Sequence, residues 1–475
     1  MTFKKKFYKS VSAFAAYKYF AQGLEFLATI ILSRLLLPEE YGFVAIIHVF
    51  SGFIQLFSNV GIGQSLVRSD YKYTFHKHLY NLSVWIGIAL TLIMMGLSWP
   101  ISIFFDKPAL ILPTMVIAFK FFFDSFTYVP YALLSKNLKF NVVGKVRLWA
   151  TGLQIGLTIV LAYLGFSYWA LIIPLIISPV FQFILLRKWV KMPFTLYSWR
   201  ATKRTLFRIR SLMGNLSMDN FIKYWAGTTD KVVIGRLYTQ ADLGLYNRAF
   251  RFISMTNNLI TGIFSMVLFP SLKKLMEEKG DVNKEYMDII RVLGLLNLPI
   301  VFVLMVLPQN LVQLLWGADW IGVATFLPYV GIILFINSVN SPISHVYILY
   351  GKERVMLLVN SVNSLLTIAL VIAGGLISMM HIIKFLALGF LIITTPLNLY
   401  FGFYRSFKYK VMEIARFWLP AMVFGTMLFL SVYFLWPVTR VLSLLLFLLF
   451  LLYELRSGLK ESRKIIQRKL FFKPK

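Results

Sequence analysis

Residues 79–104 read LYNLSVWIGIALTLIMMGLSWPISIF, a run with no Asp, Glu, Lys, Arg or His. As a helix with 1.5 Å rise per residue it extends about 39 Å, enough to cross a hydrocarbon layer ~30 Å thick with some tilt. Lys77 precedes it, Asp106, Lys107 and Pro108 follow it, and a second apolar run opens at residue 109. The pattern recurs in both directions along the chain. Apolar stretches cover 11–36, 41–64, 79–104, 109–132, 142–164, 167–187, 211–236, 243–270, 287–308, 321–348, 354–375, 381–404, 415–436 and 438–455. The expectation is an all-α polytopic membrane protein with about 14 transmembrane helices.

The basic residues orient these spans. Of the 49 Lys and Arg, 38 fall at the two termini or at and beside the gaps that follow spans 2, 4, 6, 8, 10 and 12. Five others, Arg34, Lys107, Arg236, Lys384 and Arg440, fall at or beside the remaining gaps. Cytoplasmic loops retain Lys and Arg, so the even gaps and both termini are expected in the cytoplasm. Six cations lie inside spans: Lys18, Lys120, Lys223, Lys231, Arg248 and Arg251.

Composition excludes several function classes. A net charge of +30 could indicate nucleic-acid binding, but here it is spread over short cytoplasmic segments rather than gathered on one face. Its expected roles are orientation and attraction to anionic headgroups, above all through the aromatic-studded basic segments 187–210 and 456–475. There is no Cys, hence no disulfide and no thiol chemistry. The outer connections are only a handful of residues, apart from the stretch near Leu307 to Trp320, which leaves no room for an outer catalytic domain. No GxxxxGK[ST] motif occurs, no other cofactor motif is evident, and His76 and His78 lack metal-ligand company. Transport without a cofactor, driven by H+, Na+ or the substrate's own gradient, is the remaining expectation.

An internal repeat adds symmetry. A shift of 202 residues aligns Arg34, Leu35, Glu40 and Gly42 with Arg236, Leu237, Asp242 and Gly244. Each copy ends an odd-numbered span and opens the next, and its carboxylate is placed to cap the following helix. Both copies start inside, so the repeat is parallel, with a pseudo-twofold axis along the membrane normal and a substrate site between halves. The expected divisions are an N-terminal lobe over 1–187, a basic linker over 188–210, a C-terminal lobe over 211–404, and two more helices with a basic tail over 405–475.

Ionisable groups at the centre of a span cost about 2.5–3.5 kcal/mol each on insertion scales, so they usually face a partner or a cavity. In span 1, Lys18, Gln22, Glu25, Thr29 and Ser33 share one helical face. Span 7 carries a comparable stripe of Asn215, Asp219, Lys223, Gly227 and Asp230, and span 8 aligns Arg248, Arg251 and Asn258. Neutralising pairs, Lys18 with Glu25 and Lys223 with Asp219, are the plainer reading of some of these groups. Snorkelling to the outer surface is the plainer reading of Arg248 and Arg251. Lys120 and Asp124, four residues apart, read as an intrahelical ion pair, with Asp124 as a proton or sodium carrier the alternative. A cationic, aromatic cleft suits an amphiphile with an anionic linkage. Lys18, Lys223, Arg248 and Arg251 would hold its phosphates, since the guanidinium fork matches phosphate oxygens two at a time.

Two runs carry a resemblance: LSRLLLPEEYGFVAIIHVFSGFIQLFSNVGIGQSLVR (32–68) and DNFIKYWAGTTDKVVIGRLYTQADLGLYNRAF (219–250). They resemble the bacterial polysaccharide-transport family, the Wzx-type oligosaccharide flippases of the multidrug/oligosaccharidyl-lipid/polysaccharide (MOP) exporter superfamily, and its colanic-acid and exopolysaccharide branch in particular. The resemblance implies a V-shaped, 14-helix fold of two pseudo-symmetric lobes that alternates between inward- and outward-open states in the bacterial inner membrane. It implies an undecaprenyl-pyrophosphate-linked oligosaccharide as cargo for surface polysaccharide assembly, with a polymerase and a chain-length regulator as partners. It further implies anion contacts at Lys18, Lys223, Arg248 and Arg251, and Glu25, Asp219, Asp230 or Asp124 as carriers of an H+ or Na+ coupling ion. The chain departs from many relatives at Asn59, where they have an acid, and at Lys231, where they have Asn. The competing readings are a multidrug or metabolite exporter of the same superfamily, a membrane-embedded glycosyltransferase or polymerase, and a structural scaffold.

Overall fold

The computed structural model describes residues 3–58, 73–190, 221–257, 262–278, 280–340 and 343–433, with a few isolated positions besides. Among them every regular element is helical. Eight helices are long and apolar enough to cross a membrane, nine if Ala318–Thr325 and Leu327–Asn337, which meet at 54°, form one bent span. These nine coincide with spans 2–6 and 9–12 of the sequence reading. The other five differ for identifiable reasons. Span 1 is the 30-residue helix α1 (Phe3–Leu32), whose polar stripe keeps it below the apolarity of the rest. Spans 7 and 8 lie partly outside the described residues, span 14 almost wholly so, and span 13 appears as the helix Val411–Tyr433.

The chain forms two compact units, Met1–Gly244 and Leu245–Lys475. In the first, α1 is followed by α2 (Pro38–Ser58), α3 (Tyr73–Phe105), α4 (Ile111–Lys136), α5 (Phe140–Tyr163) and α6 (Trp169–Arg187). Helix α1 packs on α5, α5 on α6, α6 on α4, and α4 on α3. Small residues set the closest of these crossings. A Cβ at Gly87 of α3 would stand 2.6 Å from that of Ser125 in α4. Ser83 donates to the Ser125 carbonyl at 2.6 Å, and Thr91 to that of Ala118 at 3.2 Å. Hydroxyl-to-backbone bonds of this kind hold helices together where lipid supplies no hydrophobic drive.

The turns of the repeat follow the expected capping chemistry in both copies. Pro38 opens α2, and the Glu40 carboxylate accepts from the Leu37 amide at 2.8 Å. At the equivalent positions, Asp242 accepts from the Thr239 amide at 3.2 Å while the Thr239 hydroxyl accepts from the Asp242 amide at 3.1 Å. That reciprocal pair is a capping box. The two glycines of the repeat then meet. A Cβ at Gly42 would fall 1.8 Å from the Gln240 carbonyl oxygen, and one at Gly244 would fall 1.9 Å from that of Pro38. Because 240 and 244 are 38 and 42 plus the repeat shift, the contact is two-fold symmetric in sequence as well as in space. Arg236 and Asp106 add an ion pair of 2.8 Å close by along the chain.

Span 7 is discontinuous. A helical stretch over 221–226 gives way at Gly227 and Thr228, and α7 (Thr229–Leu237) resumes. The hydroxyls of Thr228 and Thr229 donate to the carbonyls of Tyr224 and Trp225 at 2.7 and 2.6 Å, taking up backbone acceptors where the helix breaks. Helix α8 (Gln240–Thr256) follows, and the boundary between the two units falls inside it.

In the second unit, α9 (Gly262–Glu277), α10 (Val282–Val306) and α11 (Pro308–Leu315) lead to a 3₁₀ turn at Ala318–Thr325. Helix α12 (Leu327–Asn340) packs on α10, and α14 (Glu353–Gly375) packs on α15 (Met379–Gly389), with the short α13 (Ile343–Leu349) between α12 and α14 in the chain. Span 12 contains two π-helical segments, Phe390–Thr394 and Asn398–Ser406. Thr395 and Ser406 bond carbonyls five residues back, at 2.8 and 2.5 Å. An aromatic core of Tyr286, Tyr347, Phe403, Phe407 and Trp418 closes this unit near its basic loops.

Candidate functional site

The polar stripe of α1 keeps its register but divides by depth. Ser33 is buried, and it and Thr29 donate to carbonyls of their own helix at 2.9 and 2.7 Å, so their hydroxyls are taken up locally. Lys18 and Gln22 are half-buried, and Glu25 is exposed. The Lys18 ammonium stands 6.0 Å from the centre of the Tyr19 ring. The part of α1 on the N-terminal side of Thr29 therefore offers charge and an aromatic face together.

Lys223 is exposed on the short helical stretch before the break. Around it the rings of Phe221, Tyr224 and Trp225 pack on Phe53 of α2, with centroids 5.6, 6.0 and 5.2 Å away. The Tyr224 hydroxyl donates to the Val49 carbonyl, an approach that Gly52 makes possible. Asp219 lies outside the described residues. Asp230 is buried in the first turn of α7, where it accepts from the Lys231 amide at 2.8 Å. A carboxylate there lies at the positive N-terminal end of a half-helix, an end that favours negative charge.

Arg248 and Arg251, three residues apart on α8, take different environments. Arg248 is only 5% exposed, and its guanidinium lies over two indole rings, 4.4 Å from the centre of Trp320 and 5.1 Å from that of Trp316. Phe252 backs Trp316 at 5.3 Å. Arg251 is exposed. The spacing had placed both on one phosphate-facing surface, but the wide face of a helix lets one of them turn into the packing of the 3₁₀ segment. Arg248 therefore packs against the 3₁₀ segment, an environment that Arg251 does not share.

Asp124 and Lys120 form the expected ion pair, 3.1 Å long, on α4. Sequence reasoning missed its surroundings. Gln55 of α2 accepts from Lys120 at 2.9 Å and donates to Ser58 and Tyr128, each at 2.8 Å. Gln55 and Ser58, one turn apart on α2, were the available signal, but isolated polar residues on an apolar helix do not name their partner. The first unit thus holds a polar membrane-depth cluster drawn from two helices.

Comparison with known proteins places these features in a family. A family model described as polysaccharide biosynthesis protein matches residues 31–325. The chain is 23% identical over 368 residues to the lipopolysaccharide biosynthesis protein WzxC of Escherichia coli, covering 74% of this chain and 72% of that protein. Among solved structures it is similar to a lipid II flippase, MurJ, in an inward closed conformation, with TM-score 0.69, 17% identity, and coverage of 95% of this chain and 99% of that one. It is also similar to an inward-facing multidrug resistance MATE family transporter of the MOP superfamily, with TM-score 0.65, 16% identity, and coverage of 80% and 93%. These two likenesses concern the fold. Since the family model spans more than half of its residues, the chain belongs to the polysaccharide biosynthesis protein family, with a polytopic all-α fold similar to those of the two solved transporters.

Proposed function

We propose that this protein is a flippase. It moves a lipid-linked oligosaccharide, carried on a polyprenyl pyrophosphate, from the inner to the outer leaflet of the bacterial inner membrane for surface polysaccharide assembly. The observation that carries this reading is family membership joined to a cation beside an aromatic ring on a long helix, as at Lys18, 6.0 Å from the centre of the Tyr19 ring. Such groups suit a phosphate and a sugar, while the apolar tail needs only the lipid that surrounds every helix. In this reading Lys18, Lys223 and Arg251 meet the headgroup, and Arg248 shapes the loop above it. Asp230 and Asp124, with Glu25 and Asp219, supply the sites for a coupling proton or sodium ion. No step of such transport requires bond chemistry, so we assign the chain to transport rather than catalysis. A polymerase and a chain-length regulator would take the flipped unit onward.

The likeness to a multidrug transporter supports a second reading, export of a free anionic compound. Deleting the gene separates the two. The flippase reading expects loss of surface polysaccharide, accumulation of the lipid-linked unit in the inner leaflet, and unchanged drug tolerance. Intact polysaccharide with lowered drug tolerance would overturn it.

A further inference from the structure

Helix α4 carries a second polar face. Lys120, Asp124, Tyr128 and Tyr131 follow each other at steps of four, four and three, which places them on one side of the helix. Lys120 bridges Asp124 at 3.1 Å and donates to Gln55 at 2.9 Å, with the two charged side chains 27% and 15% exposed. Tyr128 and Ser58 close the cluster at 2.9 Å. Toward the basic end of α4, Tyr131 donates to Gln182 of α6 at 2.7 Å, and the Arg147 guanidinium of α5 lies 5.2 Å over the Tyr131 ring.

With Arg147 of α5 beside this face, the cluster holds two cations and one acid, so its balance is positive. A purely adhesive role does not call for charge. The neighbouring α3–α4 contact is held by neutral hydroxyls on backbone carbonyls, from Ser83 and Thr91. An ion pair in a membrane is, besides, a costly way to glue helices, because both ions must be desolvated. It has a use where one partner is to be exchanged.

Resting on the flippase reading, we propose that Lys120 is a phosphate-binding residue of the N-terminal unit, paired with Asp124 in the absence of cargo until a polyprenyl pyrophosphate headgroup displaces that carboxylate. Gln55 can follow the exchange, since its amide offers an acceptor to the ammonium and a donor to phosphate oxygen. Arg147, stacked on Tyr131 nearer the basic end, is the earlier cation on the same face.

The test uses the purified full-length chain in nanodiscs, with undecaprenyl pyrophosphate as the probe and inorganic pyrophosphate as a parallel ligand. Lys120→Gln should weaken binding of the lipid about tenfold or more, the scale of one lost charge-assisted contact. Lys120→Arg should stay within about threefold, and Asp124→Asn should bind as well as the wild type or better, because the competing anion is gone. The double variant Lys120→Gln with Asp124→Asn leaves no lone buried charge to unfold the bundle, and it should stay weak. Equal losses in the two single variants with recovery in the double would show a structural pair and overturn the inference. Undiminished binding by Lys120→Gln would overturn it while leaving the flippase reading intact, whereas failure of the wild type to bind the lipid would overturn both. Inorganic pyrophosphate binding as tightly as the lipid would identify a free anion, not a headgroup, as the ligand.

Discussion

Arg248 and Arg251 show how far identity and spacing carry at the scale of a residue. Both are membrane-flanking guanidinium groups on one helix, yet Arg248 is packed on Trp316 and Trp320 and Arg251 is exposed. The two should fail differently. Arg248→Ala should lower stability by about 1–2 kcal/mol, from the loss of desolvated cation–π contact, and should reduce the thermal midpoint of the detergent-purified protein. Arg248→Lys should recover only part of this, because an ammonium does not stack as a planar guanidinium does. Arg251→Gln should leave the midpoint unchanged, within about 0.5 kcal/mol, and reduce export of lipid-linked sugar in a cell-based polysaccharide assay. Equal thermal losses in the two variants would contradict the assignment of roles. At this scale the sequence marked the right helix but not the right face, because which indole lies within reach depends on how residues some seventy positions away fold back.

At the scale of elements, helix starts were the most legible feature. Glu40 and Asp242 were read as caps from their position after an outer turn, and each accepts from the backbone three residues earlier. Local chemistry dictates a cap, so no distant contact can move it. Thr239→Ala removes one half of the reciprocal box and should cost about 1 kcal/mol in thermal or chemical unfolding. The crossing of α2 and α8 was not legible, although both glycines had been matched. Gly42→Val and Gly244→Val each force a side chain into a carbonyl oxygen less than 2 Å from the ideal Cβ, with backbone rather than a flexible side chain to be moved. Each variant should reach the membrane but lose export, read as surface polysaccharide against the amount of inserted protein. A variant with full export would show that the two outer turns need not touch. The break at Gly227 was equally hidden, since residues 211–236 read as one uninterrupted span and only the hydroxyls of Thr228 and Thr229 hint at freed carbonyls.

For the whole molecule, the flippase reading predicts a dependence on an ion gradient. Collapse of the proton gradient or of the sodium gradient should stop export in cells that still make the lipid-linked unit. Asp230→Asn should blunt the response to whichever gradient matters, as measured by transport into vesicles with an imposed gradient of one ion at a time. Export that persists undiminished with both gradients collapsed would remove Asp230 and Asp124 from the ion-carrying role. Among the described residues, nine of the spans read from hydropathy reappear as helices apolar enough to cross a membrane, one of them a bent pair, because a lipid-facing backbone must satisfy its own hydrogen bonds and a long apolar run leaves it one way to do so. The family was legible as well, from the two runs around the repeat. Hydropathy, caps and the 202-residue repeat are local or periodic properties, so the amino-acid order alone determined the class of protein, the location of most spans and the helix starts. Tertiary structure alone decided that Arg248 faces indoles, that Gln55 joins Lys120 and Asp124, and that two matched glycines touch. Those outcomes depend on which faces of distant helices meet, and in a membrane, where almost every face is apolar, the linear pattern does not distinguish one face from another.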